Sequence, residues 1–236
     1  MIQVENLSIQ NQDKMLIKNL SIQFNKGEIW AIIGQNGSGK TTLLHTIAGF
    51  LPKYGGQIFI NSTNIRELSS LTKAQMIALL PQQSEAHLDC SVRQNISYAR
   101  YAWSKNNLQE ATERTLINKA LNVMELQHLQ DKSVNHISGG EQQRVEIATV
   151  IAQNSELILL DEPFNHLDII FRNRLMQYLQ KIQHEKCIII STHDIHYVEK
   201  YCSHVLLLID DKHILQGKVQ DILTATNMQR IFGNFF

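Results

Sequence analysis

Apolar and polar residues change rhythm several times along this chain, and each rhythm predicts an element. Val4 to Gln10 and Leu20 to Phe24 roughly alternate, the period of strands with one buried face. They predict half-exposed antiparallel strands. Ile29 to Ile33 is instead a continuous isoleucine-rich run, as expected for a strand covered on both faces. Leu157 to Leu160, Cys187 to Ile190 and Val205 to Ile209 repeat that pattern. Pro52, Gly55 and Gly56 predict a loop, Gln57 to Ile60 another strand, and Leu79-Leu80-Pro81-Gln82 a strand running into a loop. Leu43 to Phe50 and Arg172 to His184 read as helices. The stretch from about Val92 to Gln130 is helical in pattern, Gly139-Gly140 interrupts it, and a further helix runs from Glu141 to about Gln153.

Strands alternating with helices predict an α/β fold with a parallel sheet, preceded by an N-terminal antiparallel β-subdomain. A mostly helical subdomain, about residues 83–153, is inserted ahead of the Leu157 strand. At 236 residues the chain reads as one domain. Lys+Arg and Asp+Glu are both 22, so the net charge is zero and the broad cationic surface of a nucleic-acid binder is absent. Three cysteines, Cys90, Cys187 and Cys202, form no CxxC pair, which fits a reducing compartment. MIQVENLSIQ lacks a basic and apolar leader, and the longest apolar runs are about five residues, against the ~20 that cross a bilayer. The expectation is a cytoplasmic chain whose membrane role, if any, comes through a partner.

The stretch Gly34-Gln35-Asn36-Gly37-Ser38-Gly39-Lys40-Thr41-Thr42 lies between the Ile29 strand and the Leu43 helix. It matches G-x-x-x-x-G-K-[ST], a loop that wraps nucleotide phosphates. Its glycines free the backbone to point N–H groups at an anion. Lys40 supplies a point charge for the β- and γ-phosphates, and Thr41 a hydroxyl for Mg²⁺.

Further chemistry sits at the ends of other apolar strands, where open parallel sheets bind ligands. Asp161 and Glu162 follow Leu157 to Leu160: Asp161 is placed to hold Mg²⁺, Glu162 to act as general base on water. Ser191-Thr192-His193-Asp194 follows the Cys187 run, and places His193 near a γ-phosphate. Ser138-Gly139-Gly140-Glu141-Gln142 forms a second anion-binding device, a capped helix N-terminus with exposed N–H groups, or simply a cap and a turn.

Taken in order, GQNGSGKTT, Gln82, ISGGEQQRV, LILLDEP, Asn165-His166-Leu167-Asp168 and STHD resemble the ATP-binding cassette (ABC) family of ATPases over essentially the whole chain. The resemblance implies a P-loop nucleoside-triphosphatase core, ATP and Mg²⁺ as cofactors, and a head-to-tail homodimer. Each ATP would lie between Lys40 of one copy and Ser138 and Gly140 of the other. Gln82 would contact Mg²⁺ and sense the γ-phosphate, and Asp168 would reach across the interface. The helical subdomain would dock on a membrane permease, with Gln83 to Ile96 near the contact, holding the chain on the inner face of the membrane and coupling it indirectly to a substrate-binding protein.

The chain departs from the family pattern at Glu141, usually Gln, at Asn165-His166, usually small residues, and at Ile137, usually Leu. Near Asn11, where many members stack an aromatic on adenine, the expected substitutes are Met15 or Leu16. SVRQNISYARYAW and the segment from Gln216 to Phe236 are similar to importer cassettes for iron-siderophores, haem or cobalamin. The alternative is a soluble ABC ATPase outside transport, such as one for iron–sulfur cluster assembly.

Overall fold

The computed structural model describes residues 2–12, 14–82, 89–103, 110–211 and 213–232. The chain forms two sheets. β1 (Ile2–Asn11) pairs antiparallel with β2 (Lys14–Phe24). After β3 (Ile29–Gly34) and α1 (Lys40–Ile47), β4 (Gly55–Ile60) returns to the other edge of β1, followed by the short β5 (Thr63–Asn64). β1 shows the burial alternation its sequence predicts. The strand β4 starts at Gly55 and not Gln57, because Gly55 pairs with Ser8 across an irregularity in β1. The predicted loop therefore ends earlier.

The second sheet is central. α2 (Ser70–Met76) leads into β6 (Ile77–Leu80), then come α3 (Val92–Tyr98), α4 (Glu110–Val123), α5 (Gly139–Gln153), β7 (Leu157–Asp161), α6 (Ile169–Ile182), β8 (Cys187–Ser191), α7 (Ile195–Tyr201), β9 (His204–Leu208) and β10 (Ile214–Lys218). α8 (Val219–Ile222) and α9 (Ala225–Phe232) follow. The strand order is β10-β9-β3-β8-β7-β6, parallel except for β10. Strands β3, β7 and β8 are buried at every position. Their side chains still sort by the period of two. Ile158, Leu160, Ile188 and Ile190 pack into one cluster with the helices α3 to α6. Leu157, Leu159, Cys187 and Ile189 face the other way, into a core shared with α1 and the antiparallel sheet. This two-sided cover is why the sequence reads as continuous apolar runs.

The helical stretch predicted from Val92 to Gln130 is broken into α3 and α4, with a left-handed Glu125 (φ 52°) shortly after α4. Part of the predicted permease-contact stretch, residues 83–88, lies outside the described residues. Helices α5 and α6 begin earlier than expected, at Gly139 and Ile169, since Ser138 and Asp168 serve as their caps. Among the described residues no helix is long and apolar enough to cross a membrane. Cys187 is buried, and burial pushes its thiol up to about 12.

Ile189 is fully buried between neighbouring strands. Ile189→Ala is expected to cost about 3 kcal/mol through lost contacts and a residual cavity. Urea unfolding checks this; a loss under about 1 kcal/mol would show that the core relaxes around the site.

Candidate functional site

Register decides what meets at the edge of the central sheet. Gly34 pairs with Leu208, Ile32 with Ser191, and Asp161 with Ser191, so the ends of β3, β8 and β7 lie side by side. Beyond β3 the chain turns through Gly37 and Gly39, with φ of 76° and 101°, left-handed conformations that glycine adopts without a β-carbon penalty. Gly39 caps α1 without a side-chain bond, which leaves N–H groups free at the positive end of the helix. The Lys40 ammonium folds back onto this turn. It donates to the Gly34 carbonyl at 3.0 Å and the Gln35 carbonyl at 3.3 Å, and lies 3.9 Å from Glu162 Oε1.

A cavity of about 500 Å³ covers the turn. Asn36, Gly37, Gly39, Lys40, Thr41, Thr42, Gln82 and Glu162 line it, together with Asn11, Gln12, Lys14 and Leu16 from the antiparallel sheet. Among the described lining residues none is aromatic. Of the two expected aliphatic substitutes, Leu16 lines this cavity and Met15 lines a different depression beside Tyr54. Ser38 sits inside the turn, its N–H donating to the Gln35 carbonyl at 3.1 Å.

Asp161 and Glu162 leave β7 in different environments. Asp161 is 1% exposed. Its Oδ1 accepts a hydrogen bond from the Ser191 hydroxyl, while its buried Oδ2 has no partner among the described residues. Ser191 Oγ in turn accepts from the Glu162 N–H at 2.9 Å. Glu162 adopts φ 48°, an unfavourable left-handed backbone for a residue with a β-carbon. Its Oε2 accepts from His193 Nδ1 at 3.0 Å, and the rest of the His193 ring is largely exposed. Thr41 and Gln82 line the cavity, and Asp161 stands one residue before Glu162, which lines it too; their hydroxyl, amide and carboxylate oxygens are hard donors. They fit a hard divalent cation such as Mg²⁺, which needs few protein carboxylates when phosphates complete its shell.

Ser138, Gly140 and Asp168 do not line this cavity. Ser138 and Glu141 form a reciprocal capping box at α5: the Ser138 N–H donates to Glu141 Oε2 at 2.8 Å, and the Ser138 hydroxyl to the same oxygen at 2.7 Å. The Ser138 hydroxyl, then its N–H, holds the Glu141 carboxyl below its ordinary range. Gly140 faces the turn before α6, where a β-carbon would lie 3.1 Å from the His166 carbonyl oxygen. Asp168 caps α6 by accepting from the Phe171 N–H at 3.0 Å. Arg144 stacks on Phe171, 4.1 Å from the ring centroid, and joins the two helix starts. The structure thus gathers the phosphate-loop residues, Gln82, Asp161, Glu162 and His193, and sets Ser138 and Gly140 beside the turn that leads to Asp168. Ser191 is the residue that sequence reasoning passed over. Its signal was a lone hydroxyl closing an apolar strand.

The sequence profile of the ABC transporter family matches residues 17–165. The petrobactin import ATP-binding protein YclP of Bacillus subtilis (strain 168) is 32% identical over 98% of this chain and 92% of its own length. The ferric enterobactin transport ATP-binding protein FepC of Escherichia coli (strain K12) is 32% identical over 97% of this chain and 86% of its own. Among solved structures, the dimeric bacterial ABC transporter cassette MJ0796 superposes with a TM-score of 0.82 at 25% identity, covering 93% of this chain and 99% of that one. The same cassette has been solved in a post-hydrolysis state with ADP and Pi.

Ser191→Ala removes the hydroxyl shared by Asp161 and Glu162. It leaves Asp161 buried with neither carboxylate oxygen bonded, and is expected to cost about 1–3 kcal/mol in unfolding free energy. Chemical denaturation measures it, and unchanged stability would mean the hydroxyl is not structurally coupled to Asp161.

Proposed function

The chain belongs to the ABC transporter family, and from that membership we propose that it is the ATP-hydrolysing subunit of an importer for a metal chelate, of the iron-siderophore, haem or cobalamin class. The observation that carries the hydrolytic part is the Glu162 carboxylate. It is buried, lies against the Lys40 ammonium at 3.9 Å, and is fixed by His193 at 3.0 Å. ATP lies with its triphosphate along the turn from Asn36 to Thr42, and Lys40 exchanges its carbonyl partners for phosphate oxygens. Thr41, Gln82 and Asp161 would hold Mg²⁺, which would neutralise phosphate charge. Glu162 takes a proton from the attacking water, whose oxygen bonds to the γ-phosphorus as the bond to the ADP oxygen breaks. His193 holds the Glu162 carboxylate through Nδ1 for that transfer, and the rest of its ring is open toward the γ-phosphate or the attacking water. At the base end, Leu16 offers an aliphatic surface in place of an aromatic ring.

The second half of the site comes from a second copy of the chain, arranged head to tail. Ser138, Gly140 and Asp168 sit at the capped starts of α5 and α6 and do not line the cavity that Lys40 lines. Beside Asp168, Ile169 and Ile170 expose apolar side chains at 68% and 69%, a surface that an interface would cover. That a structurally similar cassette is dimeric supports pairing of two copies. A permease binds at the apolar groove of about 620 Å³ bounded by His45, Phe50, Lys73, Leu79, Pro81 and Gln153. Phe50 there is 65% exposed, and Tyr98 and Tyr101 extend the exposed apolar surface on the helical side. Helix α1 runs from the phosphate turn to this groove, a rigid link between nucleotide and partner. The permease keeps the chain on the inner face of the membrane and connects it to a substrate-binding protein. The names of the import relatives favour this reading over a soluble cluster-assembly ATPase.

Glu162→Gln is expected to lower steady-state ATP hydrolysis at least 100-fold while ATP still binds and pairs two copies; turnover near the parent rate would remove Glu162 as the base. Purification from detergent-solubilised membranes is expected to bring a polytopic permease down with the chain. Recovery only from the soluble fraction, without such a partner, would favour the cluster-assembly alternative.

A further inference from the structure

The phosphate turn carries one side chain that points away from the nucleotide cavity. The Gln35 amide nitrogen donates a hydrogen bond to the main-chain carbonyl of Ile231, in the last turn of α9. The last carbonyls of a helix have no partner within it, so this is a cap supplied by a distant residue. Gln35 also holds the turn together through its backbone: its carbonyl accepts from Lys40 Nζ at 3.3 Å and from the Ser38 N–H at 3.1 Å. One residue therefore joins the Lys40 ammonium to the last turn of α9.

The helix is itself anchored. Met228 and Ile231 are 4% and 1% exposed. Ile231 packs with Ala31 and Ile33 of β3, and with Val205 and Leu207 of β9. Strand β3 is the one that ends in the phosphate turn. Helix α9 thus supports the turn twice, through apolar contact with the strand that enters it and through the Gln35 hydrogen bond.

We propose that Gln35 is a positioning residue for the phosphate turn, and that docking of α9 sets the affinity of the turn for the nucleotide triphosphate. This rests on the nucleotide-site reading above. It follows by linkage that a ligand or protein that displaces α9 weakens nucleotide binding, and that nucleotide binding tightens α9.

The test is a double-mutant cycle on the full chain, read by equilibrium binding of a fluorescent ATP analogue and by steady-state hydrolysis. Gln35→Ala is expected to raise the nucleotide Kd about three- to tenfold, the worth of one hydrogen bond, and to raise KM with little change in kcat. Ile231→Ala, which loosens α9, is expected to raise Kd similarly, and the double variant no further than the larger single effect. Gln35→Glu, which sets a carboxylate against the Ile231 carbonyl, keeps the test open should Ile231→Ala unfold. It is expected to weaken binding more than Gln35→Ala. Lys40→Ala is the control for the site itself. A Gln35→Ala Kd within twofold of the parent, beside a large loss for Lys40→Ala, overturns this proposal alone. So do fully additive effects of Gln35→Ala and Ile231→Ala. Unchanged affinity in Lys40→Ala overturns the nucleotide site and this proposal with it.

Discussion

The register of the parallel ladder through β9, β3, β8 and β7 is the constraint on which the rest of the molecule depends. Each of these strands gives its backbone polar groups to its neighbours and buries its side chains on both faces. A slip of one residue by β8 against its neighbours would exchange its two side-chain sets, sending Ile188 and Ile190 toward the α1 core and Ile189 toward the helices. The same slip would carry Asp161 away from Ser191. Packing and chemistry are therefore fixed by one alignment.

That alignment brings three charged side chains, Lys40, Asp161 and Glu162, to exposures of 7%, 1% and 7%. Buried charges are tolerated when paired and hydrogen-bonded. Here Lys40 is held by two carbonyls and faces Glu162, Glu162 is held by His193, and Asp161 by Ser191. The pairing is incomplete at one atom, Asp161 Oδ2. An unpaired buried atom at a strand end, next to a left-handed Glu162, is costly to fold.

Around this edge, separate elements are tied together by a few specific contacts. Gln35 reaches α9, Gly140 abuts the turn before α6, and Arg144 links the starts of α5 and α6. The antiparallel sheet supplies Asn11, Gln12, Lys14 and Leu16 to the cavity wall.

Much of this was legible in the residues alone. Alternation along β1 and apolar continuity along β3, β7, β8 and β9 gave strands and their degree of cover, because side-chain period follows backbone geometry wherever one or both faces are buried. The phosphate turn was equally plain, since its glycines and Lys40 are local requirements of anion binding. Helix starts were misjudged by two or three residues, where Ser138 and Asp168 cap the helices from outside the periodic stretch. Short helices such as α2 and α7 escaped because they are too brief to show a period. What only the tertiary structure decided were contacts between residues far apart in sequence: Ser191 with Asp161, His193 with Glu162, Leu16 over the phosphate turn, and Gln35 with Ile231. A hydrogen bond of this kind leaves no periodic trace in the chain, because its partners are set by sheet order and helix docking and not by their spacing in sequence.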